Sequence, residues 1–219
     1  MNAAVVLLAA GNSRRFGKEK NKLLQPLGEK RVFDWTLHSL RNASNDAVIL
    51  LVSSPEFREE VSWKANWTVG GTTRQESAIS GVRALLPLLS EGTAILIHDA
   101  ARPFVSKSLF QSLLAGLEHF DAVAPALPVV ETIKEVDQDI VIRTLDRSRL
   151  RRVQTPQALR YSVAKSVYLE PPHDVYTDDL ALVAAGGFRT GLVGGDIRNI
   201  KITYADDLLL AEKILKKWR

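Results

Sequence analysis

The chain is 219 residues long, 46% hydrophobic and 25% charged, with a formal net charge of +4. That is enough for one buried core and short for two, and it suits a small anionic substrate rather than nucleic acid, since no basic stripe interleaved with aromatics accompanies it. The absence of cysteine excludes disulfides, zinc–thiolate sites, iron–sulfur clusters and a cysteine nucleophile, while no apolar run reaches the roughly 18 residues of a membrane span and the start lacks the basic segment and cleavage site of a leader, so a cytoplasmic protein with no membrane partner is expected.

Residues 3–9 read as a buried strand that runs into Gly11-Asn12-Ser13-Arg14-Arg15-Phe16-Gly17, followed by Lys18, Lys20 and Lys22. A helix is expected over 31–42, a buried strand over 46–52, a short helix near 55–62 and a strand over 66–70. Gly70-Gly71 turns into a helix spanning about 74–88. Another apolar strand, 93–98, ends in Asp99. Ser106 then caps a helix to about 118, and a strand covers 121–126.

Short continuous apolar strands alternating with helices argue for a largely parallel sheet covered on both faces. Residues 132–136 and 140–145 break that rhythm. They alternate polar and apolar around Asp137-Gln138-Asp139 and read as a hairpin. An isolated hairpin is marginal in water, so it should pack on something, such as a second subunit. Helices near 158–168 and 178–186, strands near 190–194 and 198–203, and a last helix over 205–217 complete the chain. The expectation is a single domain over 1–219 with an arm at about 128–150.

Five stretches carry chemistry. In Leu8-Ala9-Ala10-Gly11-Asn12-Ser13-Arg14-Arg15-Phe16, small residues let backbone approach a base or phosphate, and the following cations neutralise a polyphosphate. The stretch lacks both the dinucleotide fingerprint and the P-loop sequence; the bland alternative is a polar surface loop. Gly70-Gly71-Thr72-Thr73-Arg74-Gln75-Glu76-Ser77 is either a nest at a helix start or a simple cap by Thr72 or Thr73.

In His98-Asp99-Ala100-Ala101-Arg102-Pro103, Asp99 can hold Mg²⁺ or a hydroxyl and Arg102 an anion, unless the two merely pair; His98 reads as a structural strand-end residue. Asp146, Arg147, Arg149, Arg151 and Arg152 before Gln154-Thr155-Pro156-Gln157 form a solvated face or a phosphate clamp for a neighbour. Thr177, before Asp178-Asp179, fits an N-cap. Lys201, within Asn199-Ile200-Lys201-Ile202-Thr203, sits in an apolar pattern and should meet an anion. No sequence suggests covalent catalysis. Cationic clamping with a carboxylate suits nucleotidyl transfer, where positioning and charge neutralisation do most of the work.

Together and in this order, these stretches resemble the 2-C-methyl-D-erythritol 4-phosphate cytidylyltransferases of the non-mevalonate isoprenoid pathway, over nearly the whole chain. The first loop alone is shared with many sugar-nucleotidyltransferases; the combination is more specific. The resemblance implies an α/β, Rossmann-like fold: a mostly parallel twisted sheet with helices on both faces, plus a protruding β-arm.

It further implies that CTP, bound with Mg²⁺ or another divalent cation, is attacked at its α-phosphorus by methylerythritol phosphate. The products are 4-diphosphocytidyl-2-C-methyl-D-erythritol and pyrophosphate. By position in the motifs, Arg15, Lys22 and Lys201 are the catalytic residues. Ala9, Ala10, Gly11, Gly71, Thr72 and Ser77 surround the nucleotide. Asp99, Arg102, Thr132, Arg147, Thr155 and Thr177 bind the second substrate. Thr132 and Arg147 would come from the exchanged arm of a homodimer partner.

Two positions depart from the family pattern. Thr72 stands where Asp is usual, and Arg198 where an acid is common, with Asp196 as a substitute two residues earlier. Other readings are a ribitol-5-phosphate cytidylyltransferase, which shares the chemistry, and a nucleotide-binding regulator without turnover; a nicotinamide oxidoreductase lacks its glycine fingerprint.

Overall fold

The computed structural model describes residues 2–11, 13, 15–17, 21–44 and 46–218. Asn12, Arg14, Lys18 and Lys20 of the expected phosphate loop therefore lie outside the described residues. In chain order the strands are β1 (Ala3–Leu8), β2 (Pro26–Leu27), β3 (Lys30–Arg31), β4 (Val48–Ser53), β5 (Trp67–Val69), β6 (Ala94–Asp99), β7 (Ala122–Pro128), β8 (Lys134–Asp137), β9 (Ile140–Thr144), β10 (Arg151–Val153), β11 (Gln157–Arg160) and β12 (Thr190–Gly194). The helices are α1 (Val32–Ala43), α2 (Pro55–Glu60), α3 (Arg74–Leu85), α4 (Lys107–Gly116), α5 (Tyr161–Leu169), α6 (Asp179–Ala185) and α7 (Asp206–Leu215).

The main sheet follows the path β10-β7-β11-β6-β1-β4-β5, and β12 also pairs β7. Strands β6, β1, β4 and β5 are mutually parallel, as are β7 and β12. β11 runs antiparallel between β6 and β7. The result is the mostly parallel, Rossmann-like sheet that the sequence implies.

Side chains alternate across β1. Val5 and Leu7 enter a cluster with Phe33 and Leu40 of α1 and Phe110 of α4, while Ala4 and Val6 join Ala78 and Val82 of α3 and Val167 and Tyr168 of α5. Both faces of β1 are thus buried, which is why its sequence is continuously apolar rather than alternating. Among the described residues no helix is long and apolar enough to cross a membrane.

Helix α3 lies hard against the sheet at Gly81. A Cβ there would come within 2.4 Å of Val6 Cγ1 and 2.6 Å of Val52 Cγ2. Gly81→Ala is therefore expected to destabilise. Overpacking costs about 1–3 kcal/mol, against about 1 kcal/mol of helix propensity gained. Calorimetry should show the unfolding midpoint lowered by a few degrees; an unchanged or raised midpoint would refute the close packing.

Two expectations fail. Residues 158–160 are not the start of a helix but part of β11, and the helix begins at Tyr161. Residues 198–203 form no strand. Ile200 and Ile202 alternate with polar neighbours in the sequence, but only Asn199 and Ile202 are buried. Among the described residues, the segment's one main-chain to main-chain bond toward β6 is the Ile202 N–H donated to the Ala101 carbonyl at 2.9 Å. β8 and β9 pair with each other in a two-stranded sheet of their own, with Val136, Ile140, Val141 and Ile142 exposed.

Candidate active site

The carboxyl ends of β1 and β6 meet the turn into α3 around a cleft of about 530 Å³. Ala9, Ala10 and Gly11 follow β1 on its wall; Gly71, Thr72 and Ser77 come from the turn and first coil of α3. Glycine is required where these loops touch, since a Cβ on Gly70 would lie 2.3 Å from that of Ala10. Thr73 is the N-cap, its hydroxyl accepting the Glu76 N–H at 3.1 Å. The Ser77 hydroxyl donates to the Thr73 carbonyl at 2.9 Å and accepts the Gly71 N–H at 3.1 Å. Thr72 donates both its N–H and its hydroxyl to Glu76, at 2.7 and 2.6 Å.

Arg15, Lys22 and Lys201 bring positive charge to the same cleft, and Asp99 is the acid on its wall among the described lining residues. Asp99 Oδ2 accepts from Lys201 Nζ at 2.6 Å and Oδ1 from Arg74 Nε at 3.2 Å. Burial alone would raise the Asp99 carboxyl; Lys201, Arg74 and Arg102 overcome it and hold the group well below the usual carboxylate range. Lys201 thus meets the anion that its apolar setting calls for. Burial, with Lys201 adding repulsion, pushes the Lys22 ammonium down to about 8. Its Nζ donates to the Ile202 carbonyl at 2.7 Å.

His98 is fully buried, and burial lowers it to about 4, so it stays neutral. The Arg102 carbonyl can only accept, so His98 Nε2, 3.0 Å away, carries the ring proton. Nδ1 must then accept from the Thr155 hydroxyl at 3.1 Å, leaving the Thr155 oxygen to accept the Asp99 N–H at 3.1 Å. Both ring nitrogens are committed. His98 is a support for the 99–102 turn, as its strand-end position suggests, and has no proton to offer the cleft.

Five expected site residues do not line the cleft. Thr155 is buried and acts on the Asp99 backbone. Arg102 does not pair with Asp99; its Nη1 donates to the Asn199 carbonyl at 2.8 Å, and it lines a second cavity of about 600 Å³. Arg102 Nε and Asn199 Oδ1 are buried there with no partner among the described residues. Thr132 and Arg147 are exposed next to the β8–β9 hairpin. Thr177 is exposed too, and the N-cap of α6 is Asp178, whose carboxylate accepts the Ala181 N–H at 3.0 Å. Asp196 pairs with Arg198 at 2.8 Å and stands away from the cleft, so it supplies no substitute acid there.

Arg74 was given no role by its motif, yet it lines the cleft and contacts Asp99. A signal was present. A cation at the first position of a helix opposes the helix dipole, so Arg74 needs carboxylate partners from elsewhere in the chain.

The model of the 2-C-methyl-D-erythritol 4-phosphate cytidylyltransferase (IspD) family matches residues 3–217. The cytidylyltransferase of that name from Bacillus licheniformis is 34% identical, across 99% of this chain and 96% of its own length. The one from Synechococcus elongatus is 35% identical, across 97% and 96%. The crystal structure of the Thermus thermophilus enzyme superposes with a TM-score of 0.76 at 30% identity, covering 96% of this chain and 98% of that one.

Proposed function

The chain belongs to the 2-C-methyl-D-erythritol 4-phosphate cytidylyltransferase family, and from that premise we propose how its residues divide the work of joining CTP and 2-C-methyl-D-erythritol 4-phosphate. It is a nucleotidyltransferase. The observation that carries the reading is the convergence of Arg15, Lys22 and Lys201 around Asp99, beside the Gly70–Ser77 turn, in one cleft. Backbone of Ala9, Ala10, Gly11 and Gly71, with Thr72 and Ser77, receives cytosine and ribose. Arg15 and Lys22 receive the triphosphate. Asp99 takes hydroxyls of the bound substrates, and Lys201 places the attacking phosphate.

A phosphate oxygen of the acceptor forms a bond to the α-phosphorus. The bond to the α–β bridging oxygen breaks, and pyrophosphate leaves. That nucleophile is ionised at neutral pH, a monoester's second pKa being about 6, so no general base is needed; this agrees with a neutral His98 bonded at both nitrogens. The cations neutralise charge gathering on the α-phosphoryl and the leaving group.

Among the described residues no three His, Cys, Asp or Glu side chains gather as a metal cage. A divalent ion fits the cleft as a passenger on the triphosphate, since Mg²⁺ is commonly held by substrate phosphates, waters and one or two carboxylates. Asp99 would be its protein contact, and the ion would supply further neutralisation of the triphosphate.

Pyrophosphate release with CTP and Mg²⁺ tests the reading, with methylerythritol 4-phosphate and ribitol 5-phosphate as parallel acceptors. Turnover with the first is expected; turnover with ribitol phosphate alone would overturn the acceptor. A pH profile tests Lys22. Its pKa of about 8 lies below the ordinary value, so the cation is present below that pH and lost above it. At subsaturating CTP, kcat/KM should fall above pH 8, and Lys22→Arg should flatten that limb. An identical limb in both enzymes would assign it to another group.

The exposed apolar residues of β8–β9 support a homodimer in which each arm carries Thr132 and Arg147 to its partner's cleft. Ile140→Asp with Ile142→Asp is then expected to convert a dimer into monomers in sedimentation equilibrium and to lower activity. A variant that stays dimeric, or a monomeric wild type, would sink the exchanged-arm reading.

A further inference from the structure

Arg74 is the first residue of α3, where the helix dipole disfavours a cation. Two carboxylates hold it there. Nη2 donates to Asp179 Oδ2 at 2.7 Å, and Nε donates to Asp99 Oδ1 at 3.2 Å. Asp179, the first residue of α6, is 2% exposed. Its other oxygen accepts from the hydroxyl of the fully buried Tyr168 at 2.8 Å. Both Asp179 oxygens are in use, so Arg74 cannot swing away without stranding a buried carboxylate, which is costly.

From Asp99 the chain of contacts continues to Lys201 at 2.6 Å. Five side chains, Tyr168, Asp179, Arg74, Asp99 and Lys201, thus form an unbroken line from the core of α5 to the cleft. A buried ion pair of this kind is poor value as mere stabilisation, since well-packed apolar residues often serve as well. It does fix direction. Lys201 carries its charge on a flexible four-carbon stem, and a misplacement of about 1 Å at a reacting centre costs roughly 10²-fold in rate.

We propose that Arg74 is a positioning residue for the transfer reaction: anchored by the Tyr168–Asp179 pair, it sets the Asp99 carboxylate and, through it, the Lys201 ammonium. This rests on the reading of the cleft given above. The test is steady-state pyrophosphate release by the full-length enzyme, with each substrate varied in turn and the unfolding midpoint measured alongside. In Arg74→Ala, kcat falls by about 10²-fold, and millimolar guanidinium ion restores part of it while leaving wild type unimproved. Arg74→Lys keeps the charge but loses the two-pronged fork and stays impaired.

Tyr168→Phe removes one O–H donor at nearly constant volume and lowers kcat by roughly 2–10-fold with little change in either KM. A folded Arg74→Ala with wild-type kcat, or an impaired one that guanidinium does not rescue, overturns the proposal. If Arg74→Ala does not fold, Tyr168→Phe decides: a lowered midpoint with unchanged kcat makes the line merely structural and overturns it. Absence of turnover in wild type overturns the reading of the cleft and the proposal with it; turnover in wild type with unaffected variants overturns the proposal alone.

Discussion

Replacing Lys22 by Met is expected to lower kcat by about 10²–10³-fold, the scale of deleting one preorganised charge donor, with almost no loss of stability. The split follows from the setting. In the free enzyme the Lys22 ammonium is disfavoured by burial and by Lys201, so a neutral stem relieves repulsion and offsets the lost bond to Ile202. On the proposed reading of the cleft, the same half-buried charge faces the phosphoryl groups in the transition state with little water to screen it. Arg15 is exposed, and Arg15→Ala should cost less. If both act on one developing charge, as proposed, the double variant should fall short of the product of the singles. Rates from pyrophosphate release and midpoints from calorimetry check this; loss of kcat in step with loss of stability would make Lys22 structural.

Asp99→Asn should have the opposite signature, losing activity and stability together. The carboxylate is 10% exposed between Arg74 and Lys201, which are 28% and 35% exposed. Its removal leaves Lys201 without its carboxylate and Arg74 with Asp179 alone. A fully buried pair broken in this way costs about 3–5 kcal/mol, and partial exposure of the cations reduces that to about 2–4 kcal/mol. In a domain of this size each kcal/mol is worth roughly 2–4 °C.

The pH dependence has a definite sign. Asp99 is held below the ordinary carboxylate value, so its contribution is fully present above about pH 4 and is lost as pH falls through the depressed folded-state value. Wild type and Asp99→Asn should therefore differ by a constant amount between about pH 5 and 7, and the gap should narrow in strong acid. A gap that narrows near neutrality would assign the titration to another group.

The parallel half of the sheet was legible because β1, β4 and β6 are buried on both faces and so must be apolar throughout. β11 was not. Gln157-Ala158-Leu159-Arg160 is four residues long and abuts α5, and a short buried strand leading into a helix has the same hydrophobic pattern as a longer helix. The 198–203 segment misled in the other direction, since Ile200 and Ile202 alternate with polar neighbours in the sequence as a strand would, without a ladder forming. Of the site, the small residues after β1, the glycine turn, Asp99 and Lys201 declared themselves by cost, a carboxylate or an ammonium being expensive in apolar company. Arg74 and Asp179 escaped because their meaning lies in each other, across 105 positions of chain.

That separation bears on how the protein is born. Asp99 finds one counter-ion, Arg74, upstream in the chain, while Thr155, Asp179 and Lys201 all follow it. A nascent chain emerging from the ribosome can stack β1, β4 and β6 well before residue 201 is synthesised. Until then it holds a half-neutralised carboxylate and a glycine-lined cleft without its last cation. Lys201 must be synthesised before the cleft has its full complement of charge, so chains stopped short of it are expected to be poor competitors for nucleotide.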